Sequence, residues 1–332
     1  MIAYGEITVT ASMNSTSPSS TGHLCSTIYW WLLLIRFRII WDSFTDERSQ
    51  TSISSEAETI HCLDTDLKPM RLRIATWNVN SVRRRLMSLA RLVKESSPDV
   101  ICLQETKVED TKFPTTEITA LGYPQQIIYG QKSYHGVAIC SRVDLADGKR
   151  RDWSGKFEAR HVYCRLDPNV ELHNFYVPAG GNEPNPLVNE KFCHKLSFLE
   201  EMSEWFATRR STRAILVGDL NVAPLENDVW SHTALLQVVS HTPIEVAAIK
   251  KLMTEGHWVD AVRHFVPETK KLFSWWSYRA RDWSSNNHGR RLDHIWVTRC
   301  LLPTLKAAWV MRATRSWPNP SDHAPVLIDL DI

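Results

Sequence analysis

Six stretches of this sequence end or begin an apolar run with polar side chains that could work on a phosphoester. Asn78 and Asn80 close "TWNVN", Glu105 follows "VICLQ", and Tyr176 ends "HNFY". Asp219 and Asn221 follow "AILVG", Asp293 stands inside "RRLDHIW", and Asp322 and His323 lie in "PSDHAP". Hard oxygen ligands such as Glu105 and Asp322 suit Mg2+, which is usually held by one or two carboxylates together with substrate phosphate oxygens. An imidazole beside a carboxylate can hold a proton and stabilise charge on a phosphoryl oxygen, and a further carboxylate can orient or deprotonate a water. Amides and a phenol add neutral hydrogen bonds to a phosphate. Should these ends converge on one rim, they describe metal-assisted phosphoester hydrolysis. Each residue alone has a plainer reading: Asp219 and Asn221 as turn residues bonding their own backbone, Glu105 as a solvated charge, His323 as a surface or core histidine. Their recurrence at strand ends is what points to chemistry.

Strands must carry these residues. Apolar runs predict strands at 71–79, 99–104, 136–141, 161–167, 172–177, 214–218, 292–298 and 324–332. Helical periodicity places Leu86, Leu89, Ala90 and Val93 on one face of a helix over 83–96, and further helices are expected at 188–210 and 244–255. Many strands, fewer helices and short loops favour a four-layer α/β sandwich, two mixed sheets face to face with helices outside, over a doubly wound parallel sheet. No repeat or Gly-rich linker divides 70–332, which reads as one catalytic domain.

Residues 1–69 read differently. They are Ser/Thr-rich around the apolar patch 28–41, which is too short for a spanning helix and is broken by Arg36 and Arg38. No basic residue precedes the patch and no small-residue cleavage site follows, so a signal peptide is not expected. Met70 stands directly before the first strand, and the upstream segment is expected to be a disordered or misassigned extension. It holds four basic and eight acidic residues, leaving 35 basic against 29 acidic in the rest. A mildly basic body suits a polyanion partner and equally an ordinary solvated surface. The seven cysteines are scattered, with no Cys-x-x-Cys pair, as buried thiols in a reducing cytoplasm would be and a zinc site would not.

Taken in order, "TWNVNSVRRRL", "PDVICLQETK", "GDLNVAP", "RRLDHIWV" and "PSDHAPV" resemble the endonuclease/exonuclease/phosphatase superfamily, within it the exonuclease III-type apurinic/apyrimidinic (AP) endonucleases. The resemblance runs from about Met70 to Ile332. "LQETK", "GDLN" and "SDHAP" carry the superfamily, while "WNVNSVR" and "FSWWSYR" carry the DNA-repair branch. It implies a Mg2+-dependent enzyme, with Mn2+ as a substitute, that cuts duplex DNA 5′ to abasic sites, degrades DNA 3′ to 5′ and cleans blocked 3′ ends. It implies Glu105 as principal metal ligand, with Asn78 nearby, Asp322 assisting the metal or the histidine shell, and Asp219 orienting or activating the attacking water. Asn221 and Tyr176 would hold the phosphate, His323 paired with Asp293 would stabilise the transition state, and Asn80 would belong to the same shell.

DNA contacts are expected from other residues. Arg83, Arg84 and Arg85 could meet backbone phosphates or simply open a solvated helix, and Trp275 and Arg279 suit stacking and charge at an abasic site or form part of an aromatic core segment. No Cys or Ser occupies a nucleophile motif, so hydrolysis in one step is expected. The enzyme would be a cytoplasmic monomer, associated with the nucleoid through DNA and without a membrane partner. Two other readings stay open: a related hydrolase acting on small phosphoesters, and a non-catalytic DNA-binding module.

Overall fold

The computed structural model describes residues 70–332 except 167–169, 210–212 and 280–281. The expectations for the segment before Met70 lie outside the described residues. Fourteen strands are described: β1 (Arg71–Asn78), β2 (Val100–Gln104), β3 (Gln125–Tyr129), β4 (Val137–Ser141), β5 (Leu145–Arg150), β6 (His161–Leu166), β7 (Val170–Tyr176), β8 (Ala214–Asp219), β9 (Trp258–Asp260), β10 (Trp275–Trp276), β11 (Gly289–Arg290), β12 (Asp293–Thr298), β13 (Leu305–Val310) and β14 (Val326–Asp331). The three longest helices are α1 (Leu86–Ser96), α2 (Glu190–Thr208) and α3 (Pro243–Glu255).

Twelve strands form two six-stranded sheets, ordered β13-β14-β1-β2-β4-β3 and β5-β6-β7-β8-β12-β9. Both are mixed: β1 pairs β2 in parallel and β7 pairs β8 in parallel, while the other pairings are antiparallel. Three apolar interfaces separate four layers. Leu72, Ile74, Cys102 and Ile328 of the first sheet meet Val162, Leu172, Ile215 and Ile295 of the second. Outside the first sheet, Leu89 and Leu92 of α1 cover Ile101 and Leu103. Outside the second, Phe198, Leu199 and Met202 of α2 and Ile249 and Leu252 of α3 cover Phe175, Leu216 and Trp296. This is the expected sandwich, and burial of central strands on both faces explains why β2 and β8 read as unbroken apolar runs.

Boundaries differ in physically sensible ways. The expected helix over 83–96 splits into a 3-10 turn, Val82–Arg84, and α1, because Arg85 leaves helical geometry at φ −113°, ψ 9°. Strands β3, β5, β9 and β13 and the short pair β10 and β11 were not expected. In β5, LADGKR, every residue after Leu145 is exposed, so the strand carries no apolar alternation and is held by its ladder to β6. Cys102, Cys140 and Cys164 are buried free thiols. No helix among the described residues is long and apolar enough to cross a membrane.

Candidate active site

Strand register assembles the site. In the second sheet Asp219, the last residue of β8, lies opposite Tyr176 of β7 on one side and Asp293 of β12 on the other. In the first, Asn78 ends β1 opposite Gln104, so Glu105 is the next residue out. Because β14 runs antiparallel to β1, with Val326 opposite Thr76, the stretch Ser321–His323 that precedes it falls at the same rim. The chain leaves these strands through left-handed backbone at Asn80, Glu105, Lys107 and Asn221, a region uncommon outside glycine but reached most readily by Asn. Gly218 has no alternative: a Cβ there would lie 1.9 Å from the Phe175 carbonyl oxygen of the neighbouring strand.

One amide joins the two sheets. Asn78 Nδ2 donates to Glu105 Oε1 at 2.9 Å and to Asp219 Oδ2 at 2.8 Å. Tyr176 donates its hydroxyl to the same Glu105 oxygen at 2.8 Å, and the Arg160 guanidinium sits 5.0 Å from the centre of the Tyr176 ring. His323 Nδ1 lies 2.9 Å from Asp293 Oδ2, and its Nε2 is 3.7 Å from Asp219 Oδ2. Ser274 Oγ fixes Asp293 from behind, donating to Oδ2 at 2.6 Å while accepting from the backbone of Leu292 and Asp293. Asn221 donates its side-chain amide to the Val177 carbonyl at 2.9 Å, and its backbone N–H goes to Asp219 Oδ1 at 3.0 Å.

A second arm of the network holds Asp322. Lys107 Nζ lies 2.6 Å from Glu105 Oε2 and donates to Asn80 Oδ1, Asn80 Nδ2 donates to Asp322 Oδ1 at 3.1 Å, and Trp275 Nε1 donates to Asp322 Oδ2 at 3.0 Å. Trp275 is half-buried here, whereas its neighbour Trp276 is core. Arg83, Arg84 and Arg279 are exposed and stand outside this network, and Arg85 is buried, donating to the Tyr278 hydroxyl and the Pro320 carbonyl. Lys107 and Ser274 were missed by sequence reasoning. Lys107 sits within "LQETK", two residues past Glu105, where its spacing was a usable signal; nothing marks Ser274.

Burial and charge act together on the buried groups. Burial pushes the Asp219 carboxyl up to about 7, with the His323 charge opposing it. Burial would lower His323, but Asp293 and then Asp219 outweigh it and raise the imidazole to about 10. Burial likewise opposes ionisation of Glu105, and Lys107 and Asn78 overcome it, holding its carboxyl below the usual range. The Tyr176 phenol is driven well above its ordinary value by burial and by Glu105. Charge on the imidazole is favoured by the acidic groups on either side of it.

Glu105, Asp219 and His323 each offer an atom within 4.8 Å of the others. Carboxylates tied by an amide are a hard donor set that fits a divalent cation such as Mg2+. A protonated His323 suits a phosphate oxygen better than a metal. Asp322, next to His323 in the chain, is not one of this trio and accepts from Asn80 and Trp275.

The profile described as "Endonuclease/Exonuclease/phosphatase family" matches residues 75–323. Exodeoxyribonuclease III of Haemophilus influenzae is 28% identical over 271 residues, covering 77% of this chain and 98% of that protein. An AP endonuclease from Archaeoglobus fulgidus superimposes with TM-score 0.73 at 32% identity, covering 79% of this chain and all of the other. A 3′ phosphatase from Neisseria, solved bound to a product DNA hairpin, gives TM-score 0.72 at 28% identity with the same coverage.

Proposed function

The chain belongs to the endonuclease/exonuclease/phosphatase family, and on that premise we propose that it is a Mg2+-dependent DNA repair nuclease. It cuts the backbone of duplex DNA 5′ to abasic sites and removes nucleotides or blocking groups from 3′ ends. Membership makes it a metal-dependent phosphoester hydrolase. Duplex DNA, Mg2+ and the particular bonds cut are the proposed part. The observation that carries the reading is His323 lying between Asp293 and Asp219, at 2.9 and 3.7 Å, with Glu105 within reach of both His323 and Asp219.

In this reading Asp219 orients the attacking water and takes its proton as the P–O3′ bond breaks, and the departing 3′ oxygen takes a proton from solvent. His323, kept charged and aimed by Asp293, donates from Nε2 to a non-bridging phosphate oxygen, where charge grows in the transition state. Asn221 spends one amide hydrogen on Val177 and keeps the other for the phosphate, and Tyr176 would serve the phosphate by turning its single O–H away from Glu105. Glu105 and Asn78, with Asp322 nearby, would hold the cation, which when bound neutralises phosphate charge. No covalent step is needed. The nearby hydroxyls of Ser274 and Ser321 are committed, to Asp293 and to the Asn78 carbonyl.

Three features support DNA. The body of the chain is basic, Arg83 and Arg84 are exposed just past β1, and Trp275 stands beside Asp322 at the rim. A monomer working on nucleoid DNA in the cytoplasm is the setting that fits. The test is a substrate panel for the full chain: an abasic duplex, an undamaged duplex, a 3′-phosphate duplex and a small aryl phosphate, each with Mg2+. We expect the duplexes to dominate kcat/KM, with KM rising steeply with salt. Preference for the small ester without salt dependence would move the assignment to a small-phosphoester hydrolase. Binding without cleavage would leave a DNA-binding module.

A further inference from the structure

Directly behind the catalytic rim lies a lysine that the proposed chemistry does not use. Lys195 is fully buried on the inner face of α2, at a position flanked by Phe192, Phe198, Leu199 and Met202, where helical spacing calls for another apolar residue. Its Nζ donates to the Asn221 carbonyl at 2.7 Å, to the Ala179 carbonyl at 3.4 Å, and to the Glu245 carboxylate. Glu245 is also fully buried, in the first turn of α3. Besides Lys195 it accepts from the backbone of Ser240 and from the backbone and hydroxyl of Thr242, and the Ser240 carbonyl in turn receives the Ala223 N–H at 2.7 Å.

This arrangement grips the two loops that continue from the site ends of β7 and β8. The β7 exit, Tyr176 to Ala179, is held at Ala179. The β8 exit, Asp219 to Ala223, is held at two points, the Asn221 carbonyl by Lys195 and Ala223 through Ser240. Asn221 sits at φ 55°, so its carbonyl direction is set by a backbone conformation that the surroundings must maintain. Taking an ammonium and a carboxylate out of water is expensive, and a well-packed apolar pair in their place is often neutral or stabilising for a fold. A pair kept at full burial against two functional loops therefore invites a role other than stability.

We propose that Lys195, anchored by Glu245, is a positioning residue that sets the Tyr176–Ala179 and Asp219–Ala223 loops in register for attack on the phosphate. Its effect on turnover rests on the hydrolase reading above, whereas the loop tie itself can be tested without substrate. The experiment compares the wild-type full chain, Lys195→Met, and the double variant Lys195→Met/Glu245→Gln. Each is followed by melting temperature, by hydrogen exchange at single amides, and by kcat and KM on the abasic duplex. In Lys195→Met, which strands Glu245, we expect a lowered melting temperature. The double variant removes both charges and should regain it.

In both variants the amides of Val177 and Ala223 should exchange faster by at least about tenfold, against little change at Leu216 within β8. In both, kcat should fall by about 10²-fold with KM within about twofold, the scale of a misplaced catalytic group. A double variant whose loop amides exchange as in wild type, or whose kcat recovers along with its melting temperature, would overturn the proposal and leave the pair purely structural. Wild type that leaves the abasic duplex intact would sink the nuclease reading instead, and the exchange measurement would still decide whether Lys195 holds the loops.

Discussion

Strand β7 serves two buried histidine sites of opposite character. At its end, Tyr176 joins the rim where His323 lies against Asp293 and Asp219. Within it, His173 and Phe175 turn toward α2 and pack with His161 of β6. His161 stacks on Phe175 with ring centres 3.8 Å apart, its Nε2 is 3.3 Å from His173 Nδ1, and the edges of Trp205 and Phe206 close the cluster. All three histidines are buried. Burial and neighbouring cations drive His161 well below its ordinary value, and burial lowers His173 against the pull of Glu171. At His323 the same burial is outweighed by two carboxylates. Burial alone therefore does not decide whether a histidine is packing or machinery; the neighbouring charges do.

The largest expected effect separates these two regions by activity. Asp219→Asn removes the proposed proton acceptor and should lower turnover by about 10² to 10⁴, read from single-turnover incision of the abasic duplex. His161→Phe keeps an aromatic ring in the stack and should leave turnover within about twofold. Equal losses in both variants would mean that the aromatic cluster is coupled to the chemistry.

A smaller effect should come from the exposed arginines. Arg84→Ala should weaken duplex binding while making the slope of log affinity against log salt shallower by about 1, as loss of one phosphate contact does. An unchanged slope would return Arg84 to the solvated surface.

The smallest effect concerns pH. The folded-state pKa of His161 lies below its unfolded value of 6.5, so the unfolded chain binds the extra proton first. Stability from keeping this ring neutral is present above about pH 6.5 and is lost progressively as pH falls toward the folded value. His173 acts in the same direction. Glu171, held down at about 2 by its hydrogen bond to His173 and then by Arg209, adds a loss at lower pH, from about 4.5 toward 2. Asp219, raised to about 7, gains stability over the same fall in pH in both proteins, so the cluster is read by difference: the melting temperature of wild type relative to His161→Phe should fall below about pH 6.5. An identical curve for the variant would contradict the assignment of His161 as a buried neutral base.

Much of this was legible because the rim obeys a simple rule: an apolar strand buried on both faces must surface somewhere, and what it presents there stands out. Asp219 after "AILVG" and Glu105 after "VICLQ" are visible for that reason. Lys195 was harder. Its long stem lets the charge work some distance from the backbone, so neither spacing nor composition says what the ammonium reaches. Ser274 holds Asp293 through a contact 19 residues long in sequence, which only the fold brings together. Strand β5 escaped because its order comes from a neighbour's ladder and leaves no mark in its own exposed residues.

The central claim, that the rim is a metal-dependent nuclease site acting on DNA, is met most directly by one gel. The full chain is incubated with a labelled duplex holding a single abasic site, with Mg2+ and with a chelator. A single cut 5′ to the lesion is expected in Mg2+ and none in the chelator. An intact duplex in Mg2+, or cutting that persists in the chelator, would contradict it.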